Sequence, residues 1–146
     1  MKIITLLLLI ASSSTVPVRA ALGQMHDSIQ SDVEMLNGTR TTVPMYGYSV
    51  EEITRGDGAV LREFVTPEGR VFGIAWQGPT MPNLLQLLGP SAPAFQQAVR
   101  SSHRRGPISV HLGELVVETG GHMRAFRVRA YLADQLPGGI SAEAIR

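Results

Sequence analysis

The chain contains no cysteine among its 146 residues. This absence excludes disulfide bonds, thiolate–metal sites and thiol redox chemistry, so an oxidising compartment would offer the fold no cross-link. Lysine is almost absent as well, since Lys2 is the only one in the sequence. A domain without lysine has no side-chain amine for a Schiff base or for nucleophilic catalysis. Without disulfide bonds, the stability of the fold depends on its apolar core.

The first twenty residues follow the three-part pattern of a bacterial-type signal peptide. Met1 and Lys2 provide a short positive start, and the apolar run 3–11 comes directly after them. Val18 and Ala20 stand where a signal peptidase requires small or aliphatic residues, so we expect cleavage after Ala20. The apolar run is far shorter than the roughly 20 residues of a membrane-spanning helix. We therefore predict a periplasmic or secreted protein with no membrane span in the mature chain and, because no cysteine follows the run, no lipid anchor.

The mature chain, residues 21–146, has a length typical of one domain. It keeps 11 basic and 12 acidic residues after Lys2 and Arg19 leave with the signal peptide, which gives a formal net charge of −1. Nucleic-acid-binding domains usually carry a basic excess. The charge balance therefore predicts that the protein has no nucleic-acid partner.

Apolar residues in the first part of the mature chain recur at helical spacing. They lie three or four positions apart, at Leu22, Met25, Ile29, Val33 and Leu36. One such stripe predicts a helix over 22–36 that packs by a single face. The Asn37-Gly38 pair that follows is typical of a left-handed residue that ends a helix.

Alternation with a period of two comes next and predicts strands at 48–53, 59–66 and 70–76. The turns between these strands are short and contain glycine, so the three strands form an antiparallel meander. Proline and glycine positions then predict a central helical segment over 83–102.

A hairpin and a long strand complete the predicted sheet. The hairpin comprises 107–112 and 115–119, and Gly120-Gly121 is predicted to turn the chain into a strand over 122–131. This order of elements indicates an α+β domain. Its antiparallel sheet consists of the three-stranded meander, the C-terminal hairpin and the long strand, packed by the N-terminal helix and the central helical segment.

Five runs of the mature chain match a known sequence pattern. They are YSVEEI at 48–53, REFV at 62–65, VFGIAWQGP at 71–79, LLG at 87–89 and GHMRAF at 121–126. With these runs the chain resembles a family of secreted proteobacterial proteins that is catalogued as a domain of unknown function, number 2844. The resemblance covers nearly all of the mature chain, and the runs WQGP at 76–79 and GHMR at 121–124 are its most specific parts. It implies one exported domain of no assigned activity and supplies no catalytic residues.

His122 and Arg124 are the most suggestive polar pair. In a strand over 122–131, both lie on one face with the apolar even-numbered residues of 126–130. They would stand at the rim of the core beside the Gly120-Gly121 turn, where Arg124 could bind a carboxylate or a phosphate. The structural alternative is an arginine that covers apolar side chains beside a hydrogen-bonded histidine. We favour this alternative, because spacing identifies no partner nucleophile.

Trp76 is the remaining candidate binding residue. Its ring could line a ligand groove, although an aromatic ring in a central strand is more often buried. The histidines at 26, 103, 111 and 122 have neither the four-residue helical spacing nor the HExxH arrangement of a zinc site, so no metal site is predicted. The serines lack a Gly-x-Ser-x-Gly elbow, which leaves a serine hydrolase without sequence support.

The sequence predicts an exported, non-catalytic module that binds a ligand or acts as an accessory of the bacterial cell envelope. Its partner would be a small ligand or an envelope protein, and no cofactor is predicted. The alternative is a small periplasmic hydrolase-like enzyme with His122 as base and Arg124 as anion anchor. A purely structural accessory subunit is the third possibility. One pocket shared by His122, Arg124 and a carboxylate such as Glu63 or Glu118 would favour the enzyme.

Overall fold

A computed structural model of the protein describes residues 22–102 and 106–146. The expected signal peptide, its cleavage position after Ala20, and His103 lie outside these ranges. In the described ranges, no helix has both the length and the apolar character that a membrane span requires.

Seven antiparallel strands form one open sheet with the spatial order β1-β2-β3-β4-β7-β6-β5. The strands are β1 (Thr39–Met45), β2 (Tyr48–Thr54), β3 (Val60–Val65), β4 (Val71–Gly78), β5 (Ser109–Leu112), β6 (Leu115–His122) and β7 (Ala125–Leu132). The first four follow one another along the chain, and β7 pairs with β4 so that the C-terminal strands extend the same sheet. The predicted α+β class with an antiparallel sheet is confirmed.

Three helices pack on one face of the sheet, α1 (Ile29–Leu36), α2 (Leu84–Leu87) and α3 (Ala92–Ser102). Short 3-10 turns occur at His26–Ser28, Gly89–Ser91, Ala133–Gln135 and Ala142–Ala144. Helix α1 ends as predicted, because Asn37 takes a left-handed φ of 48° and the Gly38 N–H donates to the Val33 carbonyl at 3.1 Å. It begins later than predicted, because Met25 is extended, forms a β-bridge with Arg70 and is half exposed.

Strand β1 is an addition to the predicted meander, which therefore has four strands. Almost every side chain of Thr39–Met45 is exposed, so the strand shows no alternation of buried and exposed residues. Its place at the edge of the sheet explains this pattern, and Pro44 is a residue that edge strands tolerate.

Successive residues of each strand alternate between a helix face and an open face of the sheet. The larger core lies under the helices, and a smaller one on the open face is partly covered by the C-terminal residues 133–146. A β-bulge interrupts the pairing of β3 with β4, because Phe64 pairs with Gly73 and Val65 pairs with Val71. Phe72 is the extra residue and lies in the open-face core. Since cores cover both faces of β4, residues 71–76 are buried at every position.

Candidate functional site

The predicted pair His122 and Arg124 lies at the tip of the β6–β7 hairpin. Strand β6 continues through the two glycines to His122, which pairs with Ala125, so Met123 and Arg124 form the turn. The expectation that both residues share the face of one strand was therefore wrong. Arg124 takes a left-handed φ of 67°, and both side chains are exposed.

The turn lies three residues beyond its predicted place, because the pairing of β6 with β7 continues through Gly120, Gly121 and His122. Gly121 has a φ of 97°, and a Cβ atom there would overlap with the Ala125 carbonyl oxygen. The glycine thus allows close approach of the two strands within the ladder, and the chain reverses after it. The Nδ1 atom of the His122 ring lies 3.1 Å from the Met123 carbonyl oxygen.

Trp76 belongs to the core under the helices. The residue is 3% exposed, and its indole N–H donates to the Thr80 carbonyl at 2.9 Å. The Arg55 guanidinium lies over the ring, 6.0 Å from its centre. The interpretation of Trp76 as a buried sheet aromatic is confirmed.

A groove of about 750 Å³ lies on the open face between β3, β4, β6 and β7. We call it the open-face groove. Its floor includes two small residues, Ala75 and Gly120, and the C-terminal Ile145 and Arg146 contribute to its wall. The polar side chains that line it are Arg62, Gln77, Glu118, Thr119, Arg127 and Arg129.

Two ion pairs flank the floor of this groove. Cross-strand pairing sets Arg62 and Arg129 on either side of Ala75. The Nε of Arg62 donates to Glu52 at 2.8 Å, and Arg129 donates to Glu118 through Nε and Nη2. Arg129 also donates from Nη1 to the Ala142 carbonyl at 3.3 Å, so it holds the C-terminal segment in place.

Two arginines of the groove have guanidinium N–H groups without a partner in the described ranges. Arg127 stands directly opposite Gln77, and its guanidinium makes no hydrogen bond or ion pair within the described ranges. Only Nε of Arg62 is engaged there, so its two Nη groups stay available. The groove thus presents free guanidinium N–H groups above a floor of small residues.

A second polar cluster lies on the opposite, helix face of the sheet. Glu51 is buried, and it accepts hydrogen bonds from Arg40 Nε and Thr42 Oγ1, each at 2.7 Å. Arg40 also donates from Nη2 to Nε2 of His26. Glu63 lies directly across from Glu51 in the ladder and is fully buried.

Asp32 of α1 completes this cluster, since its side chain meets Glu63 in the interior. The sequence pattern indicates Glu63 only as a possible partner of His122 and gives no role to Asp32. The burial of Glu63 was predictable from strand alternation, because Glu63 lies on the same inward face of β3 as Leu61 and Val65. Glu63 lies in the interior and Glu118 lines the open-face groove described above, whereas His122 and Arg124 are exposed at the hairpin tip.

Among the described residues, no group of three or more His, Asp or Glu side chains is arranged to hold a metal ion. Comparison with curated proteins and with solved structures gives no significant match. A family model matches residues 18–145, nearly the whole chain, and its description is "Protein of unknown function" (DUF2844). The chain therefore belongs to the DUF2844 family, as the sequence runs indicated.

Proposed function

We propose that the protein is an exported binding module that holds an anionic ligand in the open-face groove. The observation that carries this proposal is the uncommitted guanidinium of Arg127, which faces a groove floored by Ala75 and Gly120. Guanidinium groups bind carboxylates and phosphates through paired, charge-assisted hydrogen bonds. The small floor residues leave room for a ligand to reach these donors.

The charge of the groove supports the same chemistry. Four arginines line it, at 62, 127, 129 and 146, against one lining carboxylate, Glu118. Glu118 is paired with Arg129 and Arg62 is paired with Glu52, so the positive excess comes from the side chains of Arg127 and Arg146. An anion that enters the groove therefore meets a local positive excess, although the mature chain as a whole is close to neutral.

Binding has more support here than hydrolysis. No histidine, serine or carboxylate other than Glu118 belongs to the groove lining in the described ranges. The Thr119 hydroxyl accepts the Ile108 N–H at 2.9 Å, so it is engaged in holding the β5 segment. The hydrolase-like alternative stays a prediction. The exposed position of His122 at the hairpin tip does not favour it.

Export is the part of the proposal that depends on the sequence alone. The leader pattern supports a periplasmic or secreted location, and envelope association is one form that this location could take. Expression of the full chain in a Gram-negative host, followed by fractionation and N-terminal sequencing, tests it. We expect a periplasmic product that begins at Ala21, and a membrane-bound product that retains Met1 would contradict export.

The groove is tested by titration of ¹⁵N-labelled protein with inorganic phosphate and, separately, with succinate. We expect saturable shifts of the backbone amides of residues 75–77, 118–120 and 127. Arg127→Ala and Arg62→Ala should each weaken binding at least tenfold, since each removes a charge-assisted contact. The control is Arg100→Ala, an exposed arginine on α3, which should change nothing. Unsaturable shifts, or equal weakening by the control, would contradict a site in the groove.

The two probes distinguish the anion class. Preference for phosphate would indicate a phosphorylated ligand, and preference for succinate would indicate a carboxylate. Phosphate and succinate would enter the same groove, so the same arginine variants are used in both titrations.

A further inference from the structure

Two carboxyl groups face each other in the interior, between α1 and the sheet. Asp32 projects from α1 and Glu63 from β3, and both residues are 0% exposed. Their side chains lie within hydrogen-bonding reach of each other. No N–H or O–H group in the described part of the chain donates to any of their four oxygens. If both groups were ionised, four buried acceptors would lack a donor, which protein interiors avoid.

We infer that Asp32 and Glu63 share one proton, and that this proton fastens α1 to the sheet. A proton on either carboxyl supplies the missing O–H donor, and the other carboxyl accepts it. The pair then carries one negative charge instead of two, as close carboxyl groups commonly do. Loss of the proton leaves two carboxylates in an apolar interior. Movement of α1 toward water relieves this repulsion, because the helix is short and carries one of the two groups.

Among the described residues, the other charged groups around the pair donate no hydrogen bond to it. Strand β2 contributes Glu51 directly opposite Glu63, and β4 contributes only the apolar Ile74 at that level. Strand β1 contributes Arg40, and the 3-10 turn before α1 contributes His26. The charge of Arg40 lowers the pKa of Glu63, but its guanidinium hydrogen-bonds to Glu51 and His26 and donates to neither carboxyl of the pair.

The pKa values of both carboxyls move in the direction that this arrangement requires. Burial raises the pKa of Asp32 to about 7, although its contact with Glu63 acts in the opposite direction. Burial also raises the pKa of Glu63 well above its ordinary range, and the charge of Asp32 and the hydrogen bond with it raise it further. The folded protein thus holds a proton at neutral pH that the unfolded chain has lost.

The sign of the pH dependence follows from these directions. A carboxyl whose pKa is raised in the folded state stabilises the fold below its ordinary pKa, which is 3.8 for aspartate. That stabilisation disappears as the pH rises to about 7 and beyond. For one proton, the unfolding constant increases by up to about tenfold per pH unit across this window.

Urea unfolding between pH 5 and pH 8.5 tests the shared proton. We expect the midpoint of the purified protein to fall as the pH rises. The double variant Asp32→Asn with Glu63→Gln replaces the pair by two amides that can still hydrogen-bond. The one-proton slope of unfolding free energy against pH should then be lost. The control Glu34→Gln removes an exposed carboxylate from the same helix and should keep the slope. An identical slope in the double variant would overturn the inference.

Two further measurements keep the test independent of whether the double variant folds. In the unmodified protein, the ¹³C shifts of the two side-chain carboxyl carbons should show one proton that is lost near or above neutral pH. Titration of both carbons near pH 4 would overturn the inference. Amide hydrogen exchange should show that residues 29–36 lose protection with rising pH, relative to residues 92–102 of α3. If the ratio of protection factors between α1 and α3 stayed constant with pH, the proton would not hold α1 on the sheet.

Discussion

Two ion pairs of the same chemistry occupy opposite faces of the sheet, one residue apart on β2. Arg40 binds Glu51 on the helix face, and Arg62 binds Glu52 on the open face, with Nε–Oε2 distances of 2.7 and 2.8 Å. The arginines are similarly exposed, at 25% and 30%, but the Glu51 side chain is 2% exposed and that of Glu52 is 34%. The pairs therefore differ in the burial of one carboxylate and in the additional contacts of Glu51 and Arg40 with Thr42 and His26.

The buried carboxylate is committed to the fold. Burial alone would raise the pKa of Glu51, but hydrogen bonds from Arg40 and Thr42 and the charge of Arg40 together lower it below its ordinary value. Glu51 thus stabilises the fold above its ordinary pKa of 4.5, and this contribution is lost as the pH falls through the lowered value. The open-face pair stays in contact with water and leaves the Nη groups of Arg62 free for a ligand.

The largest effect expected from this comparison is that of Arg40→Ala. It leaves Glu51 buried without its cation, and breaking a buried pair in this way lowers the free energy of unfolding by about 3 kcal/mol. Arg62→Ala leaves Glu52 beside water and should lower it by about 1 kcal/mol at most. Urea unfolding of the two variants at pH 7 measures both values under the same conditions.

A second substitution separates the lost charge pair from lost packing. Adding Glu51→Gln to Arg40→Ala removes the uncompensated carboxylate and should recover part of the stability. If stability is not recovered, the loss caused by Arg40→Ala comes from the packing of the arginine stem. Equal costs for Arg40→Ala and Arg62→Ala would show that carboxylate burial does not set the strength of these pairs.

The helix face was largely predictable, because its elements have strong periodicity and clear ends. The apolar stripe that reaches Leu36 predicts α1, and the Asn37-Gly38 pair predicts its last residue. Strand β1 was not predictable in this way, since an exposed edge strand such as Thr39–Met45 shows no buried periodicity. The helix boundary at Met25 was missed because an extended segment that bridges to Arg70 can carry the same apolar spacing.

The candidate sites required contacts that no local pattern supplies. The sequence indicates that Arg127 and Arg129 point away from Val128, and the structure confirms this. Their approach to Arg62 depends on the pairing of β4 with β7, whose strands are far apart in the chain. The same holds for Glu63. Strand alternation predicts that its side chain points inward, but its contact with Asp32 depends on how α1 packs across the sheet.

The smallest effects are expected at the hairpin tip, which belongs to neither face. His122→Ala and Arg124→Ala should each change the free energy of unfolding by less than about 0.5 kcal/mol, because both side chains are exposed. If the open-face groove is the anion site, both variants should also bind phosphate like the unmodified protein. A tenfold loss of phosphate affinity in Arg124→Ala with unchanged stability would instead place the anion site at the tip, where the sequence first suggested it. The same titration that detects the loss in Arg127→Ala makes this comparison.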